Sequence, residues 1–260
     1  MIEIRPFAEL GRFENDWLAA RHHFSFGDYH DPARGGLGPL LVWNDDTIAP
    51  GRGFDLHGHR DMEIVTFVRE GAITHRDHLG NEGRTEAGDV QVMSAGKGIL
   101  HAEYNLEDVA TRIFQIWIRP RQTGAKPRWE QRRFPAAQRG GRLVALASGR
   151  PGAYGADGAD GVVGADGAGA LAIHQDAAIL GARLRAGDRV GHPLGAGRRA
   201  YLVADRGGVE VNGRAAGARD GVVVAGEETL EIVALADADV VVADVPWSAW
   251  HDRRGMTDVA

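Results

Sequence analysis

Two tripeptides, His57-Gly58-His59 and His101-Ala102-Glu103, carry the residue types best suited to chemistry in this chain of 260 residues. Each sets two metal-capable side chains at i and i+2, and on a β-strand that spacing points both at one face. Brought side by side, the pairs converge three imidazoles and one carboxylate on a single ion. A lone His-x-His is commonplace, because histidine often serves only as a hydrogen-bonding residue. Two same-face pairs inside one array of strands and turns predict a metal site, with His57, His59, His101 and Glu103 as ligands. Such a set leaves positions open on an ion that prefers six ligands, and there oxygen and substrate bind. Neutral imidazoles with one carboxylate leave a divalent ion net positive, which suits an enolate or phenolate. Fe(II) is the first expectation, and Cu, Mn, Ni, Co and Zn accept the same donors. The chain has no cysteine, so thiolate ligands, Cys nucleophiles and disulfides are excluded.

The elements that must hold these residues read as short strands. Between the tripeptides run Glu63 to Val68, then Gly71, an alternating stretch to His78, Gly80-Asn81, and Gly88 to Met93. All are too short for helices and are separated by glycine-bearing turns. Beyond them, Thr111 to Ile118 is strongly β-prone and stops before Pro120. Phe114, Ile116 and Ile118 share one face; Ile113, Gln115 and Trp117 share the other. A buried Gln115 needs a partner. Beside a metal that partner is substrate or bound water, which makes Gln115 a candidate for supporting the ligands or touching substrate, the alternative being simple structural hydrogen bonding. Upstream, Ile2 to Ile4 reads as a strand followed by one or two helical turns. Leu40 to Trp43 reads as a buried strand, with Asn44-Asp45-Asp46 as the turn that ends it. His22, His23 and His30 are expected to be hydrogen-bonded or exposed rather than ligating, because adjacent residues on a strand face opposite sides. Arg119 to Arg133 is locally basic and reads as a solvated connector.

Residues 149–170 repeat Gly-Ala-Asp and bury too little apolar surface to offset ordering entropy, which predicts a flexible insertion. Its Asp spacing fits neither an EF-hand nor a β-roll. From Leu171 to Pro246 a second β-rich array follows, with Asn212-Gly213 a strong hairpin turn. Laid over the first half, Tyr201 to Gly213 falls on Ile64 to Asn81, and Asp220 falls on Asp89. The second half is a diverged repeat of the first. Its counterpart of the first ligand pair keeps one histidine, His192, and near Leu230 there is none, so His174 and His192 are expected to be structural. The domain expectation is 1–135 with the metal, 136–170 as a linker carrying the insertion, and 171–260 as a second barrel without metal.

A hydrophobic share of 43%, 25% charged residues and a net charge of -6 describe an ordinary globular protein. The acidic balance argues against nucleic-acid binding, which depends on Lys and Arg neutralising phosphates. No apolar run approaches the ~18 residues of a membrane span, and no secretory signal is evident, so a cytoplasmic protein is expected.

The series Gly51, His57-x-His59, Glu63, Gly71, then Gly88-Asp89, Gly96, His101 and Asn105, resembles the two motifs of the cupin superfamily. One extra residue precedes Gly71, two precede His101, and Ser94 stands where proline is usual. Those departures match the pirin branch, and residues 21–32, 43–71 and 88–105 look like pirin sequence almost throughout. The resemblance is close over about residues 15–135 and looser beyond. It implies an all-β bicupin of two jelly-roll barrels, the first binding one metal ion through His57, His59, His101 and Glu103. Several pirins show quercetin 2,3-dioxygenase activity, in which O2 cleaves a flavonol with loss of carbon monoxide. Glu103 would there be both ligand and the base that takes the flavonol hydroxyl proton. Other pirins are described as metal- or redox-dependent regulators that bind a transcription factor or metabolic enzyme, so a protein partner is the alternative expectation. A non-redox cupin, such as an isomerase, would work without oxygen.

Overall fold

The computed structural model describes residues 1–150 and 169–247. Short alternating runs punctuated by glycine give strands throughout, and the helical content among the described residues is three single-turn segments, Phe7–Glu9, Pro32–Arg34 and Ala136–Gln138. The strands form the expected two all-β domains, each built from one seven-stranded and one four-stranded sheet.

In the N-terminal domain the larger sheet runs, edge to edge, Arg128–Arg132, Val90–Ser94, Glu63–Glu70, Thr111–Ile118, Leu40–Ile48, Leu18–His22 and Gly11–Glu14. The smaller sheet is Gly53–His59, Ile99–Tyr104, Ala72–Asp77 and Glu82–Glu86. In the C-terminal domain the strand Ile2–Arg5 forms one edge of the larger sheet, paired with Gly221–Ala225, and Val144–Ser148 lies near the other edge beside Ala178–Leu184. The chain therefore begins in one barrel, builds the other, and returns. The sequence expectation had put residues 1–5 with the first domain and 144–148 in the linker; a four- or five-residue strand carries no mark of which sheet it will join.

The alternation along Thr111–Ile118 decides what each face of the larger N-terminal sheet does. Phe114, Ile116 and Ile118 join Trp43, Val65 and Phe67 on the outer face and pack against Leu146, Ile179, Tyr201, Val203 and Val241 of the second domain in one continuous core. Two ion pairs, Arg69–Asp205 and Arg219–Asp45, each with one fully buried partner, cross the same boundary. Arg69 forks onto Asp45 at 2.8 and 3.2 Å and reaches Asp205 at 2.9 Å, while Arg219 donates to Asp45 at 2.6 Å.

The inner face is different. Gln131, Gln91, Thr66, Gln115, Asn44 and His22 occupy successive partner positions across neighbouring strands, so a polar row crosses the inside of the barrel. Small apolar clusters flank it, Ile48, Val68, Ile73 and Ile113 on one side and Ile64, Met93, Ala95 and Ile99 on the other. The second barrel is filled mainly by apolar side chains, Leu180, Leu202, Val222, Leu230, Ile232 and Val240, with the buried pair His192 and Asp244 as a polar exception.

Three local expectations are corrected. Asn44-Asp45-Asp46 is no turn; the strand Leu40–Ile48 runs straight through it with all three residues buried. Each polar side chain there has a tertiary reason, His22 for Asn44 and the arginines for Asp45. The helical turns expected after Ile4 shrink to Phe7–Glu9 and are followed by two strands, Gly11–Glu14 and Leu18–His22. Within the basic connector, Arg128–Arg132 is an edge strand whose outward charges suit an exposed edge. The Gly-Ala-Asp insertion lies almost wholly outside the described residues. No helix among the described residues is long and apolar enough to cross a membrane.

Candidate metal centre

His57 and His59 lie on Gly53–His59, and His101 and Glu103 on its antiparallel neighbour Ile99–Tyr104. The register sets His57 opposite His101 and Gly58 opposite Leu100, then slips by one residue so that Glu103 faces Phe54. Gly53 makes the slip possible: a Cβ there would sit 2.2 Å from the Glu103 carbonyl oxygen and 2.6 Å from Tyr104 Cα.

His57, His59 and His101 each offer a ring nitrogen within 4.8 Å of the others. Their ring centroids are 4.4 Å (His57–His101), 4.8 Å (His57–His59) and 5.1 Å (His59–His101) apart, all steeply inclined. His57 Nδ1 donates to the Asp55 carbonyl oxygen at 2.6 Å, which leaves Nε2 as the lone-pair nitrogen. His101 is buried, and its Nε2 has no hydrogen-bond partner. A buried orphan nitrogen on a ring packed against two other imidazoles suits a cation. Burial, reinforced by the neighbouring imidazoles, pushes His101 down to about 2, and burial with His57 pushes His59 down to about 4. Both rings are therefore neutral, the form in which imidazole binds metal. The residues present fit a divalent transition-metal ion.

Glu103 is buried beside them, one oxygen accepting from Gln91 and the other from Gln115 Nε2 at 3.1 Å. Burial pushes its carboxyl up to about 7, against the lowering effect of the Gln91 bond. A cation nearby would favour the ionised form. Glu103, His101 and His75 also offer ligand atoms within 4.8 Å of one another, so His101 is shared between two triads. Among the described residues, both such triads lie in the N-terminal barrel.

Gln115 finds its partners in protein: it donates to Glu103 and accepts from Trp117 Nε1 at 3.0 Å. Sequence reasoning missed its twin Gln91, although Gln91 interrupts an apolar strand in the same way. It also missed His75, Asp77 and Trp129. The signal for the first two was a third i, i+2 pair, His75-Arg76-Asp77, on the strand flanking His101 and Glu103 from the other side. His22 and His23 point to opposite faces as expected, His22 to Asn44 at 2.8 Å and His23 to Tyr201 at 2.9 Å. His30 lies exposed, and His174 is exposed too. His192 is buried in the second barrel against Asp244 at 2.9 Å, and Asp244 is further held by Arg198 and Arg150.

His57 and His59 face a cavity of 620 Å³ walled by Trp17, Phe26, Phe54 and Trp117. Phe26, Phe54 and Gln115 also line a second cavity of 450 Å³, which contains Asn44, Tyr29 and the buried Asp46. Burial and the adjacent Asp45 push the Asp46 carboxyl up to about 8. An aromatic-walled space with a few polar groups at its floor accepts a flat, hydroxylated molecule.

The Pirin family model matches residues 4–118, and the model of the quercetinase C-terminal cupin domain matches residues 162–245. A Pseudomonas aeruginosa protein provisionally named a quercetin 2,3-dioxygenase is 56% identical over 94% of this chain and 100% of its own length. The Escherichia coli K12 protein named quercetin 2,3-dioxygenase is 38% identical, covering 95% of this chain and 99% of its own. The crystal structure of the bacterial pirin YhhW from Escherichia coli, in complex with nickel(II), superposes with a TM-score of 0.83 at 37% identity, over 95% of this chain and all of that one.

Proposed function

On the premise that this chain belongs to the pirin family of two-barrel cupin proteins, we propose that it is a metal-dependent dioxygenase that cleaves flavonols such as quercetin with O2. The observation that carries this reading is the junction of three clustered imidazoles with an aromatic-walled cavity and a buried carboxyl beside them. In this reading His57, His59, His101 and Glu103 hold one divalent ion, Fe(II) in first place, whose open positions supply O2 and phenolate chemistry.

The chain's own groups do the rest. Glu103, whose carboxyl is raised by burial and whose ionised form a bound cation would favour, would take the proton of the flavonol 3-hydroxyl. Gln91 and Gln115 hold its two oxygens from opposite strands and so keep the carboxylate aimed. Trp17, Phe26, Phe54 and Trp117 give a flat ring system apolar contact and exclude water from the reacting carbons. The test is aerobic turnover of quercetin by protein reconstituted with each candidate metal, following O2 uptake and carbon monoxide release together. Stoichiometric release of carbon monoxide with O2 supports the reading. Absence of turnover with every metal overturns it and favours a metal-dependent regulator that binds a protein partner.

A further inference from the structure

His75 sits on Ala72–Asp77 directly beside Glu103 in register, and Asp77 sits beside His101. Its Nδ1 is 3.4 Å from His101 Nδ1, and its Nε2 is 3.2 Å from Asp77 Oδ2. Asp77 is itself fixed. Its Oδ1 accepts from the backbone N–H groups of Leu79 at 2.9 Å and Asn81 at 3.0 Å, and its Oδ2 accepts from Asn81 Nδ2 at 2.8 Å. Every one of those contacts is a donor pointing at the carboxylate, so Asp77 acts only as an acceptor. His75 Nε2 must then carry a proton, and a neutral buried His75 presents a bare Nδ1. The only way to make the 3.4 Å contact is for His101 Nδ1 to carry the next proton, which leaves His101 Nε2 bare. That nitrogen is the one without a partner, on a ring whose centroid lies 4.4 Å from that of His57 and 5.1 Å from that of His59.

We propose that His75 and Asp77 form a positioning relay that fixes the metal-competent tautomer and ring orientation of His101. The inference rests on the metal reading of His57, His59 and His101. Packing supports it independently of the protons. Trp129 lies flat on the His75 ring at 4.7 Å and 7°. It gets there because Gly83, directly across from His75, has no side chain: a Cβ at Gly83 would stand 2.2 Å from the Trp129 ring. A ring held between an indole and a hydrogen-bonded carboxylate cannot rotate to offer a different edge. His75 and Asp77 thus act through His101, without touching substrate or metal.

Two measurements test the relay. In apoprotein labelled with 15N-histidine, NMR shifts report which ring nitrogen of His101 is protonated, with no metal involved. The wild type is expected to show Nδ1–H, and Asp77→Asn, whose amide turns a donor toward His75, is expected to shift His101 toward Nε2–H. In Co(II) titrations followed by ligand-field absorption, His75→Phe keeps a flat ring under Trp129 but cannot relay, and is expected to weaken binding about 10–100-fold. His75→Gln, which can accept from His101 and donate to Asp77, is expected to regain most of that loss with an unchanged Co(II) spectrum. A wild-type His101 in the Nε2–H form overturns the relay whether or not any variant folds. So does a His75→Phe protein that binds Co(II) within twofold of wild type. A changed Co(II) spectrum in His75→Gln also overturns it, by making His75 a direct ligand. Failure of the wild type itself to bind Co(II) would sink the metal reading instead, and the 15N result would still decide the tautomer.

Discussion

Substituting Glu103 by Gln separates holding a metal from moving a proton. In the wild type both carboxylate oxygens accept amide donors, one from Gln91 and one from Gln115. The new amide group of Glu103→Gln must turn N–H toward one of them, so one contact becomes donor against donor. Gln115 can rotate only by giving up Trp117 Nε1, whereas a rotated Gln91 can still donate to Thr85 Oγ1, whose own proton has Gln131 Oε1 as acceptor. At most one buried hydrogen bond is lost, at about 1–3 kcal/mol. The apoprotein should partly recover that loss at neutral pH. Glu103 is raised from 4.5 to about 7 in the folded state, so its contribution to stability is complete below pH 4.5 and fades as pH rises through 7. The shift corresponds to about 3 kcal/mol. The neutral amide has no such dependence, so the stability gap between wild type and Glu103→Gln should narrow or reverse from pH 5 to pH 7.5. Taking the difference between the two proteins removes the opposite trend from His59 and His101, whose depressed values cost stability as pH falls below 6.5.

On catalysis the expectation is larger. With three imidazoles intact, Glu103→Gln should retain metal but lose the base, and turnover should fall ~10²–10⁴-fold at equal occupancy. The assay is quercetin-dependent O2 uptake and carbon monoxide release, normalised to bound metal by elemental analysis. In the wild type, kcat/KM should rise with pH along a limb below 7, since a bound cation lowers the carboxyl from its metal-free value; in the variant that limb should vanish. Near-normal turnover by metal-loaded Glu103→Gln would refute the assignment of Glu103 as the base.

One transition-metal ion per chain is expected, and His101→Ala should lose metal and activity together; two stoichiometric ions by elemental analysis, one of them lost on His192→Ala, would contradict this. Asp45→Ala leaves Arg69 buried without its forked partner and removes an acceptor from Arg219, so chemical denaturation should show a loss of about 3–5 kcal/mol. Gly83→Ala drives a methyl into the Trp129 ring, and should cost about 1–3 kcal/mol while lowering the fluorescence signature of a stacked indole.

How much of this was legible in the chain depended on whether the physics was local. Strand character was legible, because a period of two and glycine punctuation act within a few residues, as at Thr111–Ile118 and at the Asn212-Gly213 turn. The same-face pairing of His57 with His59 and of His101 with Glu103 followed from the same period, and family resemblance joined the two pairs. Gln115 stood out because an amide in an apolar strand demands a partner. Local signals misled where a polar residue had a distant reason to be buried. Asn44-Asp45-Asp46 has the composition of a turn, yet its partners, His22, Arg69 and Arg219, are far away in the chain.

The sequence alone determined the strand periodicity, the candidate metal-binding side chains and the faces they share, because these need only the covalent geometry of an extended chain. Tertiary structure decided what those candidates lean on. It set the one-residue slip that places Glu103 opposite Phe54, and the register that brings Gln91 and Gln115 onto its two oxygens. It also brought His75, Asp77 and Trp129 behind His101, from strands that a sequence pattern cannot order. Which strand neighbours which is set by non-local burial and pairing, with Ile2–Arg5 completing the far barrel as the clearest case.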